Sequence, residues 1–217
     1  LKSLQDMNSK LSALATAAGG LSDATAWNPI TVTSSSTLVT ATAGSAAVPG
    51  PLTFTVGHTA RPHQLSFSNT VALNAVVTTG STKVRLDRLD GTTVDLDTGD
   101  GTLQGLVNAL NGSGTGVKAS TVRLDDGTYR LQVTASTTGA ASDFTLKNLD
   151  GSDLLGGPVV TAGQDAEITV GTDVLHSATN TFSNVANGLT VTLSSTVAAG
   201  TVVNLDAQQD TAGMTKS

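Results

Sequence analysis

The stretch Asp100–Val122, DGTLQGLVNALNGSGTGVKASTV, decides the fold class. Leu103, Leu106, Val107 and Leu110 recur at the i, i+3, i+4, i+7 spacing that gathers four apolar side chains on one helix face. Thr102 stands where an N-cap hydroxyl can take an orphan N–H of the first turn. Asn111-Gly112 offers a pair that tolerates the left-handed conformation closing a helix. The spacing predicts one short helix over 103–111, and a helix apolar on one side needs a sheet to cover. After Gly-Ser-Gly-Thr-Gly at 112–116, Val117–Leu124 is rich in β-branched and apolar residues. Asp126-Gly127 then reads as a turn before a second run, Thr128–Ala135. The expected order is helix, loop, hairpin, and the segments on either side read as strands.

Composition agrees with a strand-rich chain. Aromatic residues make up 3% and charged residues 13% of the 217 residues, so the core must come from Val, Leu, Ala and Ile. Ser and Thr supply roughly a quarter of the chain, well above the globular average. Thr and Val fit the pleated surface of a strand, and 23 glycines supply turns. A net charge of −6 opposes binding to nucleic acid, which needs a clustered basic face. Lys83, Arg85 and Arg88 are the densest basic group, but Asp87, Asp90, Asp95 and Asp97 are interleaved with them, as on a solvated strand face. There is no cysteine, hence no disulfide and no thiol chemistry. No apolar run approaches the length of a membrane span. The chain opens on Leu1 and ends at Lys216-Ser217, and is expected to be a piece of a longer protein.

Leu4, Met7, Leu11, Leu14, Ala18 and Leu21 follow the alternating three-and-four spacing of a heptad seam, with polar residues between them. An amphipathic helix packed on its own domain is one reading. The seam is narrower than the stripe such helices usually carry, which favours a second reading, one strand of a coiled coil whose partner lies elsewhere. Trp27-Asn28-Pro29 ends the helical segment. Strand character follows at Ile30–Thr33, Leu38–Ala43 and Leu52–Val56, the last with Leu52, Phe54 and Val56 alternating with threonines. Lys83–Asp87 and Thr92–Leu96 flank Asp90-Gly91 as a second hairpin.

Several of these segments carry a family likeness. Thr102-Leu103, Leu106-Val107, Ala109-Leu110-Asn111 and Gly116-Val117-Lys118-Ala119 match, in order, the hook IN motif shared by flagellins and the flagellar filament cap protein, or hook-associated protein 2. Trp27, Ser34-Ser35, Pro49-Gly50, Leu52–Val56, Ala60 and His63-Gln64-Leu65 resemble the cap family's N-terminal region, an order flagellins lack. Thr59 departs from it, since the family commonly has Leu there, and Pro62 adds local rigidity. The tract Thr138–Leu146 resembles a Thr-Gly-x-x-Ser-x-Phe-x-Leu ending of flagellar axial proteins. Gly163–Val170, Thr179–Phe182 and Gly188–Leu193 resemble later cap-family strands.

The resemblance implies a mainly β, strand-rich α+β fold of two small sheet domains, the second inserted into the first and carrying the short helix. The boundaries expected are 1–27 for an N-terminal helix, 28–71 with 160–210 for a discontinuous β domain, and 72–159 for the inserted one. It implies a structural cap at the distal end of the bacterial flagellar filament that helps exported flagellin fold and insert, with a role in adhesion. No catalysis, cofactor or metal is implied. The partners implied are further copies of the chain in a ring, flagellin, and hook-filament junction proteins, with neither nucleic acid nor membrane. The location implied is extracellular, at the filament tip, by way of the flagellar export apparatus. Leu4, Met7, Leu11, Leu14, Ala18 and Leu21 would pack the coiled-coil leg. The alternative is a secreted β-rich adhesin module binding host glycan or mucin; a flagellin-type filament subunit is a third reading.

Residue patterns for other chemistry fail on spacing. The Gly112–Gly116 loop follows a helix and opens a strand, the reverse of a dinucleotide fingerprint. Asp95, Asp97 and Asp100 have calcium-loop ingredients, but position 5 of the loop is Gly99 and position 12 is Leu106. His58, His63 and His176 lie far apart in sequence without cysteine, and no nucleophile elbow is present. Glu167 is the single glutamate, which leaves a glycosidase carboxylate pair improbable.

Overall fold

The computed structural model describes residues 2–21, 30–44, 46–186 and 188–210. Trp27, quoted above for the family likeness, lies outside the described residues. The chain begins with α1 (Lys2–Leu21). Its described strands fall into two units, Leu1–Thr55 with Thr181–Leu193 and Val202–Ser217, and Val56–Asn180 with Ser194–Thr201. The chain is mainly β with two helices, as expected for a strand-rich α+β fold.

In the first unit, β1 (Ile30–Ser34) and the beginning of β3 (Gly50–His58) flank the last strand, β15 (Val202–Gln209), antiparallel on both sides. The other sheet places β14 (Leu189–Leu193) between β13 (Thr181–Phe182) and β2 (Val39–Ala43). Strict alternation does the work here: Leu189, Val191 and Leu193 point inward on β14, as do Val203, Leu205 and Ala207 on β15, with polar residues or threonines between them.

In the second unit, β4 (Pro62–Val71) pairs with β8 (Tyr129–Thr138) on one side and β10 (Pro158–Thr161) on the other, and β7 (Val117–Arg123) closes the far side of β8. A three-stranded sheet holds β5 (Lys83–Asp87) between β6 (Thr93–Asp97) and β9 (Thr145–Asn148). The remaining pair, β11 (Ala166–Val170) and β12 (Asp173–Ser177), is a hairpin beside the end of β3.

The boundary expected at 71/72 falls inside this hydrogen-bonded structure. Register runs from Pro62↔Thr138 to Val71↔Tyr129 along β4 and β8. Residues 62–71 therefore lie in the second compact unit, which takes in Val56–Asn180 and Ser194–Thr201. Strand pairing, which is non-local, set this limit; a change of composition near Val71 did not.

The helix α2 (Leu103–Gly112) is the centre of the second unit. Leu103, Leu106 and Leu110 are fully buried, and Val107 packs against the same core, which Phe67, Val84, Leu86, Leu131 and Phe144 complete. Thr102 caps it, accepting from the Gly105 amide at 3.1 Å. The closing device differs from expectation. Gly112 stays out of the left-handed region; Ser113 donates from Oγ to the Leu110 carbonyl at 2.7 Å, and Gly114 turns the chain at φ +66°. The Asn111 side chain is thereby free to bridge to β7, donating to the Ala119 carbonyl and accepting from its amide, both at 2.9 Å.

Truncating the buried helix face is expected to destabilise the chain: Leu106→Ala should lower the unfolding free energy by about 2–5 kcal/mol in a denaturant titration. Acid should act through the carboxylates of the turns. Asp90, Asp126 and Asp150 are held below the ordinary value of 3.8 by the hydroxyl and then the amide of Thr92, Thr128 and Ser152. At Asp100 the Thr102 amide leads and its hydroxyl follows. Asp95 is lowered by its hydrogen bond from Arg85, and Asp97 by the Gly99 amide and Thr82 hydroxyl. A carboxyl lowered in the folded chain contributes stability that is complete above the unfolded value of 3.8 and is lost as pH falls through the folded value. Thermal midpoints should accordingly hold from neutral pH down to about pH 5 and fall below about pH 4.

Candidate functional site

The sequence-predicted seam lies on α1. Leu4, Met7, Leu11 and Leu14 stand on one stripe and are 66, 59, 58 and 66% exposed. Ala18 and Leu21 fall in the same helix, but their side chains lie outside the described residues. Lys10 and Asp6 form a solvated i, i+4 pair at 3.7 Å. Such a pair adds only a few tenths of a kcal/mol, ~0.3–0.5. A single helix of this length is marginal in water, and four large apolar side chains in contact with solvent add nothing to its stability. The stripe is the feature of a surface that acts by being covered.

Several residues that carried the family likeness in the second unit, Ala60, His63, Ser142 and Gly163 among them, meet at one place. Arg61 donates its amide to the Gln164 carbonyl at 2.9 Å, Gln164 donates back to the Arg61 carbonyl at 3.0 Å, and Gly139 donates to that same oxygen at 3.2 Å. The Ser142 hydroxyl accepts from the His63 amide at 3.1 Å and donates to the Gly139 carbonyl at 2.7 Å. Asp143 Oδ1 accepts from the Gly163 amide at 2.7 Å and lies 2.8 Å from His63 Nδ1. The His63 ring, buried, meets Phe144 edge-on at 4.8 Å between centroids. Asp165 accepts from the Ala140 amide at 2.8 Å, and Asn180 from the Ala60 amide at 2.7 Å. His63, Ser142 and Asp143 therefore serve as packing and backbone satisfaction. Among the described residues no hydroxyl hydrogen-bonds the His63 ring as a nucleophile would; its Nδ1 is on Asp143 and its Nε2 has no partner.

The patterns with chemical overtones are also engaged structurally. The 112–116 loop presents the Thr115 carbonyl to the Arg88 guanidinium, the opposite polarity to a phosphate cradle. Asp95 is paired with Arg85 at 2.7 Å, and Asp97 accepts from Gly99 and Thr82. His58 and His176, far apart in sequence, are brought to one carboxylate: their Nε2 atoms lie 3.5 and 3.2 Å from Glu167 Oε2. Strand order does this, because β11 stands between the end of β3 and β12, and Glu167 and His176 are register partners. Gly57 leaves room for the Glu167 side chain; a Cβ there would lie 2.4 Å from its Oε1. Among the described residues no three His, Asp or Glu side chains are arranged to hold a metal ion.

Comparison with known proteins agrees with this geometry. The family description "Flagellar hook-associated protein 2 N-terminus" matches residues 1–63 and "Flagellin hook IN motif" matches residues 70–137. Flagellar hook-associated protein 2 of Escherichia coli K12 is 29% identical over 195 residues, 82% of this chain and 42% of that protein. The chain is similar to flagellar hook-associated protein 2. The crystal structure of the D1-D2-D3 domains of the flagellar cap protein FliD from Escherichia coli superposes with a TM-score of 0.81 at 26% identity, over 96% of this chain and 63% of that one. The D2-D3 domains of the Serratia marcescens cap protein give a TM-score of 0.66 at 26% identity, over 78% and 98%. The chain thus spans 42% and 36% of the lengths of the two Escherichia coli hook-associated proteins 2 that it matches.

The convergence on Glu167 was missed by sequence reading. The only local signal is a glycine inside a strand pattern at Gly57, which marks close approach by a neighbour. The junction around Arg61 has a sharper test. A Cβ on Gly163 would lie 2.3 Å from the Gly139 carbonyl oxygen and 2.5 Å from the Ser142 hydroxyl, both fixed by the junction. Gly163→Ala should destabilise by about 1–3 kcal/mol. Gly112→Ala, where nothing lies within 4 Å of the new methyl, should be neutral or stabilise by up to about 1 kcal/mol, both read from chemical denaturation.

Proposed function

We propose that this chain is part of the structural cap at the distal end of the bacterial flagellar filament, where the cap promotes folding and insertion of exported flagellin. The observation that carries the reading is the match of 96% of the chain to a flagellar cap protein, together with an apolar α1 stripe more than half exposed. The role is scaffolding rather than catalysis. The two sheet units hold subunit contacts, while α1 packs as one helix of a coiled-coil leg through Leu4, Met7, Leu11, Leu14, Ala18 and Leu21. The partners are further copies of the chain in a ring, flagellin, and the hook-filament junction proteins, at the extracellular filament tip reached through the flagellar export apparatus. No observation favours adhesion or the adhesin reading.

The seam gives the test. Leu11→Asp in the full-length protein places a charge on the apolar stripe. It should lower leg helicity by circular dichroism and abolish filament extension seen by electron microscopy, while the sheet units retain their thermal transition. Unchanged helicity together with normal filaments would refute the leg assignment.

A further inference from the structure

Four times in the second unit the chain places a hydroxyl residue after Asp-Gly: Asp90-Gly91-Thr92, Asp100-Gly101-Thr102, Asp126-Gly127-Thr128 and Asp150-Gly151-Ser152. The four glycines have φ of +91°, +74°, +84° and +87°, so each turn imposes glycine at that position. The same imposition creates a chemical liability. With no Cβ on the following residue, the glycine amide nitrogen is the least shielded nucleophile an aspartate side chain can meet. When it attacks the aspartate Cγ, a C–N bond forms, a carboxyl C–O bond breaks, and the oxygen leaves as water with the amide proton and the carboxyl proton. Solvent water then opens the resulting succinimide, breaking one of its two C–N bonds. If the bond to the main-chain carbonyl breaks, the chain continues through the side chain as isoaspartate. Water is returned, and no oxidant or reductant is needed.

We propose that Thr92, Thr102, Thr128 and Ser152 are the protecting groups of these four modification sites, restraining aspartate isomerisation in the folded chain. Each donates twice to the aspartate Oδ1, from its amide and its hydroxyl. The distances are 2.9 and 2.5 Å at Asp90, 3.0 and 2.8 Å at Asp100, 2.8 and 2.6 Å at Asp126, and 2.9 and 2.6 Å at Asp150. Cyclisation needs the protonated carboxyl, which can lose water, and needs it to turn onto the amide of the next residue. The two donors favour the ionised form and hold it on the residue after that. At two turns the attacking nitrogen is engaged as well: Gly127 donates to the Leu124 carbonyl at 3.0 Å and Gly151 to that of Asn148 at 2.9 Å. At Asp100 the protecting hydroxyl also accepts from the Gly105 amide, so the cap of α2 and the guard on Asp100 are one group.

The test is ageing of the intact chain in mildly acidic buffer, followed by digestion with a protease that cuts before aspartate but not isoaspartate, so that each turn is read by mass spectrometry. Thr92→Val, which keeps the amide and removes the hydroxyl, should raise isoaspartate at Asp90 roughly tenfold, the worth of a hydrogen bond to a charged group. Asp126 and Asp150 in the same sample should keep their rates, and Thr92→Ser should age like the unaltered chain. Independently of any variant, the folded chain should isomerise more slowly at all four steps than the same chain in urea. A Thr92→Val chain that ages at Asp90 at the unaltered rate, or a folded chain that ages as fast as the urea-unfolded one, would overturn the proposal.

Discussion

The carbonyl of Arg61 accepts two backbone hydrogen bonds, from Gln164 and from Gly139, and with that one oxygen three segments distant in sequence are tied together. Much of the second unit follows from this knot. It starts β4 in register with the end of β8, brings the 140–142 turn under the His63 amide, and delivers the chain into β11 beside β3. The approach is close enough that position 163 admits no side chain. Ser142, Asp143, Asp165 and Asn180 satisfy backbone groups of the knot through their side chains, as a buried crossing of chains demands, while the His63 ring rests on Asp143. The part of the family likeness that falls at Ala60, His63, Ser142, Phe144 and Gly163 is therefore a likeness of folding, and it says nothing by itself about chemistry.

Composition leads to the same place by another route. With few aromatic residues, the second unit is held by a leucine-faced helix seated among strands whose inward positions are mostly Val, Leu and Phe. Threonine covers the remaining strand positions, where its branched side chain suits the pleat and its hydroxyl caps turns. Acidic side chains are recruited in the same way. Asp90, Asp97, Asp100, Asp126 and Asp150 all accept from a backbone amide two residues ahead. Carboxylates so engaged are poor candidates for general acid or base work, and the turns they close are rigid.

The features legible in the sequence were those set by neighbours along the chain. The period of Leu103, Leu106, Val107 and Leu110 and the Thr102 cap gave α2 to within a residue, and Asp-Gly pairs placed the hairpins. The end of α2 was misread because Asn111 answers to β7, a partner fixed by packing and invisible to a capping rule. The meeting of His58 and His176 on Glu167 and the pairing of β4 with β8 were hidden for the same reason, since both depend on which strands lie side by side. The seam on α1 was readable from spacing alone, because a helix face is a local property.

These two kinds of order suggest why the chain divides its labour as it does. Inside the sheet units, the large apolar side chains of the core, such as Phe54, Phe67, Leu106 and Val191, are enclosed. On α1 the balance is reversed, since the side chains best able to release free energy on burial are the ones left in solvent. A protein that must grip neighbours and let them move needs such a contrast, with rigid bodies that keep their contact surfaces in shape and a helix whose stability is supplied on association. The flagellar cap role proposed for this chain asks for that division. Nothing in it requires a pocket, and the energetics of α1 give it a reason to be held by another helix.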